Sequence, residues 1–179
     1  QQFSSRTCGT MDWFLAEMKN NPSFKAQYEE NSRQTEIRMR SQIAQRQVNP
    51  SQNNVVTYIP IVFHVVLTAT QQAAYPDQLV LRQLDSLNKD WAGMNSDSAN
   101  VPPQFQAIRG RSTIQFCLAQ RTPTGGATTG IVRVTSTTLS TGPGAGDPIK
   151  FTASGGSDAW DPTKYVNVWL GNFTNPSSL

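Results

Sequence analysis

The stretch that decides the fold is VVTYIPIVFHVVL, residues 55–67, which contains the longest apolar run of the chain. It is dense in β-branched and aromatic residues, a composition typical of a buried strand. A helix that crosses a bilayer needs roughly 20 apolar residues, and this run is shorter and is interrupted by a histidine. We therefore predict a buried strand here.

A helix is predicted directly after this strand, in YPDQLVLRQLDSLNKDWAG, residues 75–93. Its apolar residues recur at the spacing of one helical face: Val80, Leu84, Leu87 and Trp91. Asp77 is expected to cap the start of the helix, and Gly93 is expected to end it. The apolar face predicts a helix that packs against the sheet.

Further strands are predicted downstream. They are STIQFCLAQ at 112–120, IVRVTS at 131–136 and YVNVWLGNF at 165–173, with PIKFTA at 148–153 as a short addition. The order of strand, helix and several strands indicates an α/β (α+β) fold, a twisted mixed β-sheet with one long backing helix. We expect one sheet face and one sheet edge to remain uncovered.

The first 50 residues have a different, helical character. One helical face is predicted from the spacing of Met11, Phe14, Leu15 and Met18. NNP at 20–22 should end this helix, and a second helix should run from near Ser23 to Gln47. VNPSQNN, residues 48–54, has the composition of a linker. The domain prediction is a helical part at 1–50 and a sheet-containing part at 51–179.

Composition excludes some classes of function. The net charge is +3 and no cluster of Lys and Arg alternates with aromatic residues, which argues against a nucleic-acid partner. Only 15% of the residues are charged, and the polar remainder is rich in Ser, Thr, Asn and Gln, as in many secreted proteins. The sequence opens at Gln1 without Met, which suggests a processed start. We expect a secreted protein without a membrane span, and its oligomeric state stays open.

The sheet-containing part has no catalytic set of its own. His64 is the single histidine, and its apolar neighbours favour a structural residue held by one hydrogen bond over a Ser-His-Asp triad member. No Glu follows Glu36. GPGAGD at 142–147 lacks the Lys and the strand-to-helix context of a phosphate loop, and no His or Cys pair has zinc-ligand spacing. No catalytic residue is assigned.

Five segments in a fixed order resemble a known family. They are YIPIVFHVV (58–66), LRQLDSLNKDWAGMNSD (81–97), VPPQF (101–105), IQFCLAQRTPTGGATTGIVR (114–133) and GGSDAWDPTKYVNVWLGNF (155–173). Together they resemble the first half of the catalytic domain of pappalysin-family metallopeptidases, which are secreted zinc endopeptidases of the metzincin group. The resemblance covers about two thirds of the chain, and LNKDW with GGSDAWD and YVNVW is its most specific part.

The resemblance implies the upper half of a metzincin-like zinc peptidase domain and a peptide or protein substrate. It also implies an edge strand, a helix with H-E-x-x-H-x-x-G-x-x-H and a Met-containing turn further along the chain. The 179 residues contain none of these. Zinc needs nitrogen ligands at about 2.0–2.1 Å, which one histidine cannot supply. We therefore expect zinc ligands beyond Leu179 and a segment that is inactive alone.

Cys8 gains a role from the same resemblance. It lies in SSRTCGTMDW, residues 4–13, and RTCG resembles the cysteine switch that keeps metzincin precursors latent. Zinc favours thiolate sulfur at about 2.3 Å. Gly9 permits a close backbone approach, and Arg6 can add positive charge or pair with an acid. Cys8 is thus the one metal-ligand candidate. A disulfide with Cys117 and an idle thiol are the alternatives.

Two function hypotheses follow. The first is the N-terminal part of a secreted zinc endopeptidase precursor, kept latent by Cys8. The alternative is a secreted non-enzymatic β-rich binding or adhesion domain, which the Ser/Thr/Gly-rich loops permit. Calcium is a further cofactor candidate, because acidic residues in Gly-rich loops often supply its oxygen ligands: Asp147, Asp158 and Asp161.

Overall fold

A computed structural model of the chain describes residues 10–48, 55–142 and 146–173. The chain divides into two compact units, one built on the N-terminal helices and one on residues 55–140 and 146–174. Cys8 and the predicted linker after Val48 lie outside the described residues. Within the described ranges, the helices are too short or too polar to cross a bilayer.

The regular elements follow one another in a simple order. The helices are α1 Thr10–Asn20, α2 Pro22–Val48, α3 Ala69–Ala74, α4 Asp77–Trp91 and α5 Pro103–Gln106. The strands are β1 Thr57–Leu67, β2 Ile114–Leu118, β3 Ile131–Thr135, β4 Leu139–Ser140 and β5 Val166–Phe173. Short 3-10 turns lie at Ser96–Asn100, Pro148–Lys150 and Thr152–Ser154.

The N-terminal unit contains the two helices that the sequence predicts. Asn21 separates them, and its side-chain oxygen accepts from the backbone N–H of Phe24, 3.0 Å away, so that it caps α2. Pro22 occupies the first position of α2, where its missing N–H costs nothing. The ring of Phe14 packs edge-on against Phe24 and Tyr28, with centroids 6.1 and 4.9 Å apart. These aromatic contacts hold α1 against the first turns of α2.

The second unit is a sheet built around β1. On one edge of β1, β2 pairs with its first half and β3 with its second half, so the two short strands lie one after the other. β5 pairs with β1 on the other edge, and β4 pairs with the end of β5. All four pairings are parallel. The α/β fold class is confirmed, and the described strands form a parallel sheet instead of the mixed one expected.

One face of the sheet packs against α4. Alternate residues of β1 point to this face and are buried: Ile61, Phe63, Val65 and Leu67. Val80 of α4 is buried against them, and Leu84 and Leu87 pack beside it. Three residues of the predicted helical face therefore close the core, whereas the fourth, Trp91, is 44% exposed and packs edge-on against Phe116.

Shortening Val80 to Ala is expected to lower the free energy of unfolding by about 2 kcal/mol, because two buried methyl groups are lost and a cavity remains. Val80 is 6% exposed, whereas its neighbour Leu81 is 41% exposed. Leu81→Ala is the matched control and should change stability by less than about 0.5 kcal/mol. Urea denaturation followed by circular dichroism measures both. Equal losses in the two variants would contradict this assignment of the helical face.

Two local predictions were wrong. Asp77 does not cap α4, because Pro76 holds the cap position and Asp77 is the first helical residue. Its carboxylate accepts from Nε and Nη2 of Arg133 at 2.9 and 2.6 Å. Residues 148–153 form 3-10 turns in place of a strand, because Pro148 starts a turn whose Ile149 N–H is capped by the Asp147 carboxylate.

Candidate functional site

The second face of the sheet is covered by residues 146–165, named here the covering segment. Val62, His64 and Val66 point to this face from β1, and each is fully buried. Ile149 of the covering segment is 4% exposed and lies over Gly171, where an added Cβ would stand 3.1 Å from its Cδ1 atom. The sheet thus has a helix on one face and an irregular segment on the other.

The motifs that carry the sequence resemblance meet at His64. Its Nδ1 atom is 2.8 Å from the Ser157 hydroxyl, and its Nε2 atom is 3.0 Å from Oδ1 of Asn167. The imidazole stacks on Trp169 at a centroid distance of 4.8 Å and an interplanar angle of 15°. Trp160 lies edge-on to it at 6.4 Å. FHVV, GGSDAWD and YVNVW therefore meet around the buried His64 and Ser157, while Trp160, Asn167 and Trp169 are half-buried. His64 makes two hydrogen bonds where one was predicted.

The hydrogen-bonding pattern fixes the tautomer of His64. Oδ1 of Asn167 accepts from the backbone N–H of Trp160 at 2.8 Å, and Nδ2 of Asn167 donates to the Trp160 carbonyl at 2.9 Å. Because this amide orientation leaves an acceptor facing the imidazole, Nε2 of His64 must be the donor. Nδ1 then accepts from the Ser157 hydroxyl. His64 is the neutral Nε2–H form.

Burial lowers the pKa of His64 from its ordinary value of 6.5, and the hydrogen bond to Asn167 offsets only part of this effect. The imidazole therefore stays neutral at neutral pH. Both ring nitrogens already have partners, so neither offers a lone pair to a metal ion or a substrate. The role of His64 is therefore structural, because its hydrogen bonds join the covering segment to β1 and β5.

Ser157 and Asn167 are the residues that sequence reasoning missed. They lie 93 and 103 positions from His64, so no local periodicity connects the three. The available signal was their place in GGSDAWD and YVNVW, the two stretches on which the resemblance depends most.

The acidic residues proposed for calcium each serve a local turn. Asp158 accepts from the backbone N–H and hydroxyl of Thr152, and these bonds lower its pKa. The pKa of Asp161 is lowered by Thr163 first and by Lys164 to a smaller extent. The third carboxylate, of Asp147, accepts from the Ser140 hydroxyl. Across residues 10–48, 55–142 and 146–173, no three His, Cys, Asp or Glu side chains are grouped to hold a metal ion. A calcium site is not shown.

The carboxyl ends of parallel strands often bind ligands in α/β sheets, and here α3 is hydrogen-bonded to β1, β3 and β5 near these ends. Nε2 of Gln72 donates to the carbonyls of Val65 and Val134, at the ends of β1 and β3. Gln71 and Asn172 exchange two amide hydrogen bonds of 3.0 and 2.7 Å, which tie α3 to β5. Because these polar groups are hydrogen-bonded to one another, their role at this end of the sheet is structural.

Most of the outer edge of β5 has no pairing strand among the described residues. β4 pairs with β5 only at Asn172 and Phe173. Along Val166–Gly171, the strand that pairs with β5 within the described residues is β1, on one side. A parallel strand with one unpaired side can accept a further strand. This edge is therefore suited to pairing with another extended segment.

Cys8, the metal ligand predicted from sequence, lies outside the described residues. Cys117 is a partly buried free thiol in β2, with its sulfur 3.9 Å from the Ile59 carbonyl oxygen. The cysteine-switch role of Cys8 stays a prediction. The alternative disulfide between Cys8 and Cys117 likewise stays untested, because Cys8 lies outside the described residues.

Comparison with solved structures gives clear neighbours. Mature mirolysin of Tannerella forsythia in complex with a cleaved peptide matches 68% of this chain and 44% of its own, with 38% identity and a TM-score of 0.61. Mirolysin in complex with compound 9 matches 65% and 43%, with 37% identity and a TM-score of 0.59. A promirolysin mutant of Tannerella forsythia matches 78% and 47%, with 35% identity and a TM-score of 0.56. No family model and no curated protein sequence matches the chain.

The fold is that of a metzincin-like peptidase domain. Mirolysin is a metzincin-type metallopeptidase, so the coarser part of the predicted resemblance is confirmed. Assignment to the pappalysin subfamily stays a prediction. The chain spans less than half the length of the solved structures it matches.

Proposed function

We propose that this chain is the N-terminal part of a secreted zinc endopeptidase precursor of the pappalysin type. Residues 1–50 act as the prosegment, and residues 51–179 form the first part of the catalytic domain. The observation that carries the proposal is the likeness to mirolysin at 35–38% identity with a metzincin-like fold. The low fraction of charged residues supports secretion.

The precursor form of the neighbour supports the prosegment assignment. Promirolysin matches 78% of this chain, against 68% for mature mirolysin. The two N-terminal helices also form a unit separate from the sheet, as expected for a part that is removed on activation. Peptide bonds are the proposed substrate, since mature mirolysin holds a cleaved peptide.

Zinc is the proposed metal, but the described residues do not fit a zinc site. His64 has both nitrogens engaged, and no ligand group of three is present within the described ranges. We therefore assign the metal ligands to a part of the protein outside this chain. Within the chain, the sheet and α4 form a rigid wall, and the open edge of β5 pairs with an extended segment. The thiol of Cys8 is the one group proposed to contact the metal.

The test is to compare the complete protein with the 179-residue chain. The complete protein should bind about one zinc ion per molecule, by elemental analysis, and should cleave peptides after activation. Treatment with a chelator should abolish cleavage, and zinc should restore it. The 179-residue chain should bind no zinc tightly and should cleave nothing.

Two results would contradict the proposal: a complete protein that purifies without zinc, or cleavage that persists after the metal is removed. The first would favour the non-enzymatic binding domain. That alternative is not favoured at present, because the similar solved structures are those of a peptidase.

A further inference from the structure

His64 is the only histidine of the chain, and it carries much of the attachment between the covering segment and the sheet. Ser157 is bound twice, since its hydroxyl donates to His64 and its carbonyl accepts from Nε1 of Trp169 at 2.8 Å. Asn167 of β5 provides a second connection, because its side chain bonds both to His64 and to the backbone of Trp160 in the covering segment. Two of these contacts, those to the Ser157 hydroxyl and to Oδ1 of Asn167, depend on an imidazole that accepts at Nδ1 and donates at Nε2.

Protonation of His64 conflicts with this arrangement. Nδ1 would become a donor, so the Ser157 hydroxyl would have to accept and its own proton would lose the imidazole as acceptor. The new charge would also be buried, since His64 is 0% exposed, and a buried charge without an ionic partner is costly. Its two hydrogen-bond partners are a hydroxyl and an amide, and neither is a carboxylate.

The charged groups around the cluster do not compensate an imidazolium. β5 has no charged residue, and β1 has none besides His64 itself. On β3, Arg133 binds Asp77. In the covering segment, the charged residues are Asp147, Lys150, Asp158, Asp161 and Lys164.

The acids of the covering segment are committed elsewhere, to Ser140, Thr152, Thr163 and Lys164. The ammonium of Lys150 lies 5.8 Å from the ring centroid of Trp169, the ring on which His64 stacks. Lys150 would repel a second cation at this ring. Among the described residues, the elements around His64 therefore place no carboxylate in contact with an imidazolium.

We propose that His64 is an acid-sensitive latch whose protonation releases the covering segment from the second face of the sheet. The release is local, because the α4 face of the sheet is packed by the alternate residues of β1 and makes no use of His64. The proposal goes beyond the peptidase function and does not depend on it.

Proton linkage gives the size of the effect. When the covering segment opens, the imidazole of His64 is exposed to solvent and has an ordinary pKa of about 6.5. Each opening event therefore takes up one proton below that pH. If the closed state excludes the proton, the opening constant should rise up to about 30-fold between pH 7.5 and pH 5.0. Asp158 and Asp161 have lowered pKa values in the closed state and would return on opening to the ordinary value of 3.8, which lies below this window, so they add little proton uptake.

The experiment is amide hydrogen exchange of the 179-residue chain, corrected for the intrinsic pH dependence of exchange. The amides of Gly156, Ser157 and Trp160 report the covering segment, and those of Leu84 and Leu87 report α4. We expect the first group to lose protection by up to about 30-fold at pH 5.0 with a slope near one proton, and the second to change less than about threefold. Imidazole NMR resonances, which belong to a single residue, should show titration below pH 6.5.

His64→Phe is the matched variant, because its ring still stacks on Trp169 but takes up no proton. Its covering segment should open equally at both pH values. If this variant does not fold, the slope of the wild-type protein decides alone. A flat wild-type profile, an equal loss of protection in α4, or an unchanged pH dependence in His64→Phe would each overturn the latch.

Discussion

Replacing Gly156 with Ala is expected to lower the free energy of unfolding by about 3 kcal/mol. A Cβ atom at this position would stand 2.2 Å from the backbone oxygen of Ile149 and 2.4 Å from its carbonyl carbon. Both are backbone atoms, so no side-chain rotation can relieve the overlap. The N–H of Ser157 donates to the same Ile149 carbonyl at 2.9 Å, so moving that carbonyl would also break a hydrogen bond.

Gly110→Ala is the control for this prediction. No atom lies within 4 Å of the added Cβ, and the backbone of Gly110 is not in the left-handed region. This variant should be neutral or more stable by up to about 1 kcal/mol, because alanine restricts the unfolded chain. Urea midpoints of both variants measure the difference. An unchanged midpoint in Gly156→Ala would mean that Ile149 can move away from the sheet at little cost.

Gly156 also explains why the covering segment was only partly foreseen. The sequence showed Gly-rich loops at this place but not which backbone atoms come close. The Ile149 carbonyl reaches Gly156 only because Asp147 and Pro148 start a turn that bends the chain back. That bend replaced the predicted strand at 148–153. Short segments with apolar residues do not reveal from pattern alone whether they extend or turn.

The long elements were predictable because their signals are local. β1 was expected at 55–67 and begins two residues later, and α4 has the apolar face that the spacing of Val80, Leu84 and Leu87 predicts. Strand pairing depends on residues that are distant in the chain, and the sequence is less informative about it. Nothing in β2 or β3 indicates that the two strands share one edge of β1. Likewise, β4 has two residues and no periodicity at all.

In the candidate site, too, the local feature was predictable from sequence and the contacts between distant residues were not. The apolar neighbours of His64 correctly indicated a buried structural histidine, since burial follows from composition. Its partners could not be deduced, because Ser157 and Asn167 reach it only after β5 has paired with β1. The metal ligand predicted from sequence, Cys8, lies outside the described residues, so its role depends on experiment.

Under the proposed function, replacing Cys8 with Ser in the complete protein is expected to raise peptidase activity before any processing by at least about tenfold. The physical reason is that zinc binds thiolate sulfur far more readily than a hydroxyl, so serine would leave the metal open to water. Cleavage of a fluorogenic peptide by unprocessed protein measures the effect. Cys117→Ser is the matched control and should stay latent, because Cys117 is partly buried within β2.

A second measurement separates metal contact from a general loosening of the prosegment. A thiol that contacts zinc is shielded from alkylating reagents, whereas an exposed free thiol reacts. In the intact precursor, Cys8 should resist iodoacetamide until a chelator removes the metal, and mass spectrometry of the labelled peptide would show this directly. If Cys8 is alkylated equally fast with and without zinc, it does not contact the metal. Latency would then have to come from helices α1 and α2 alone.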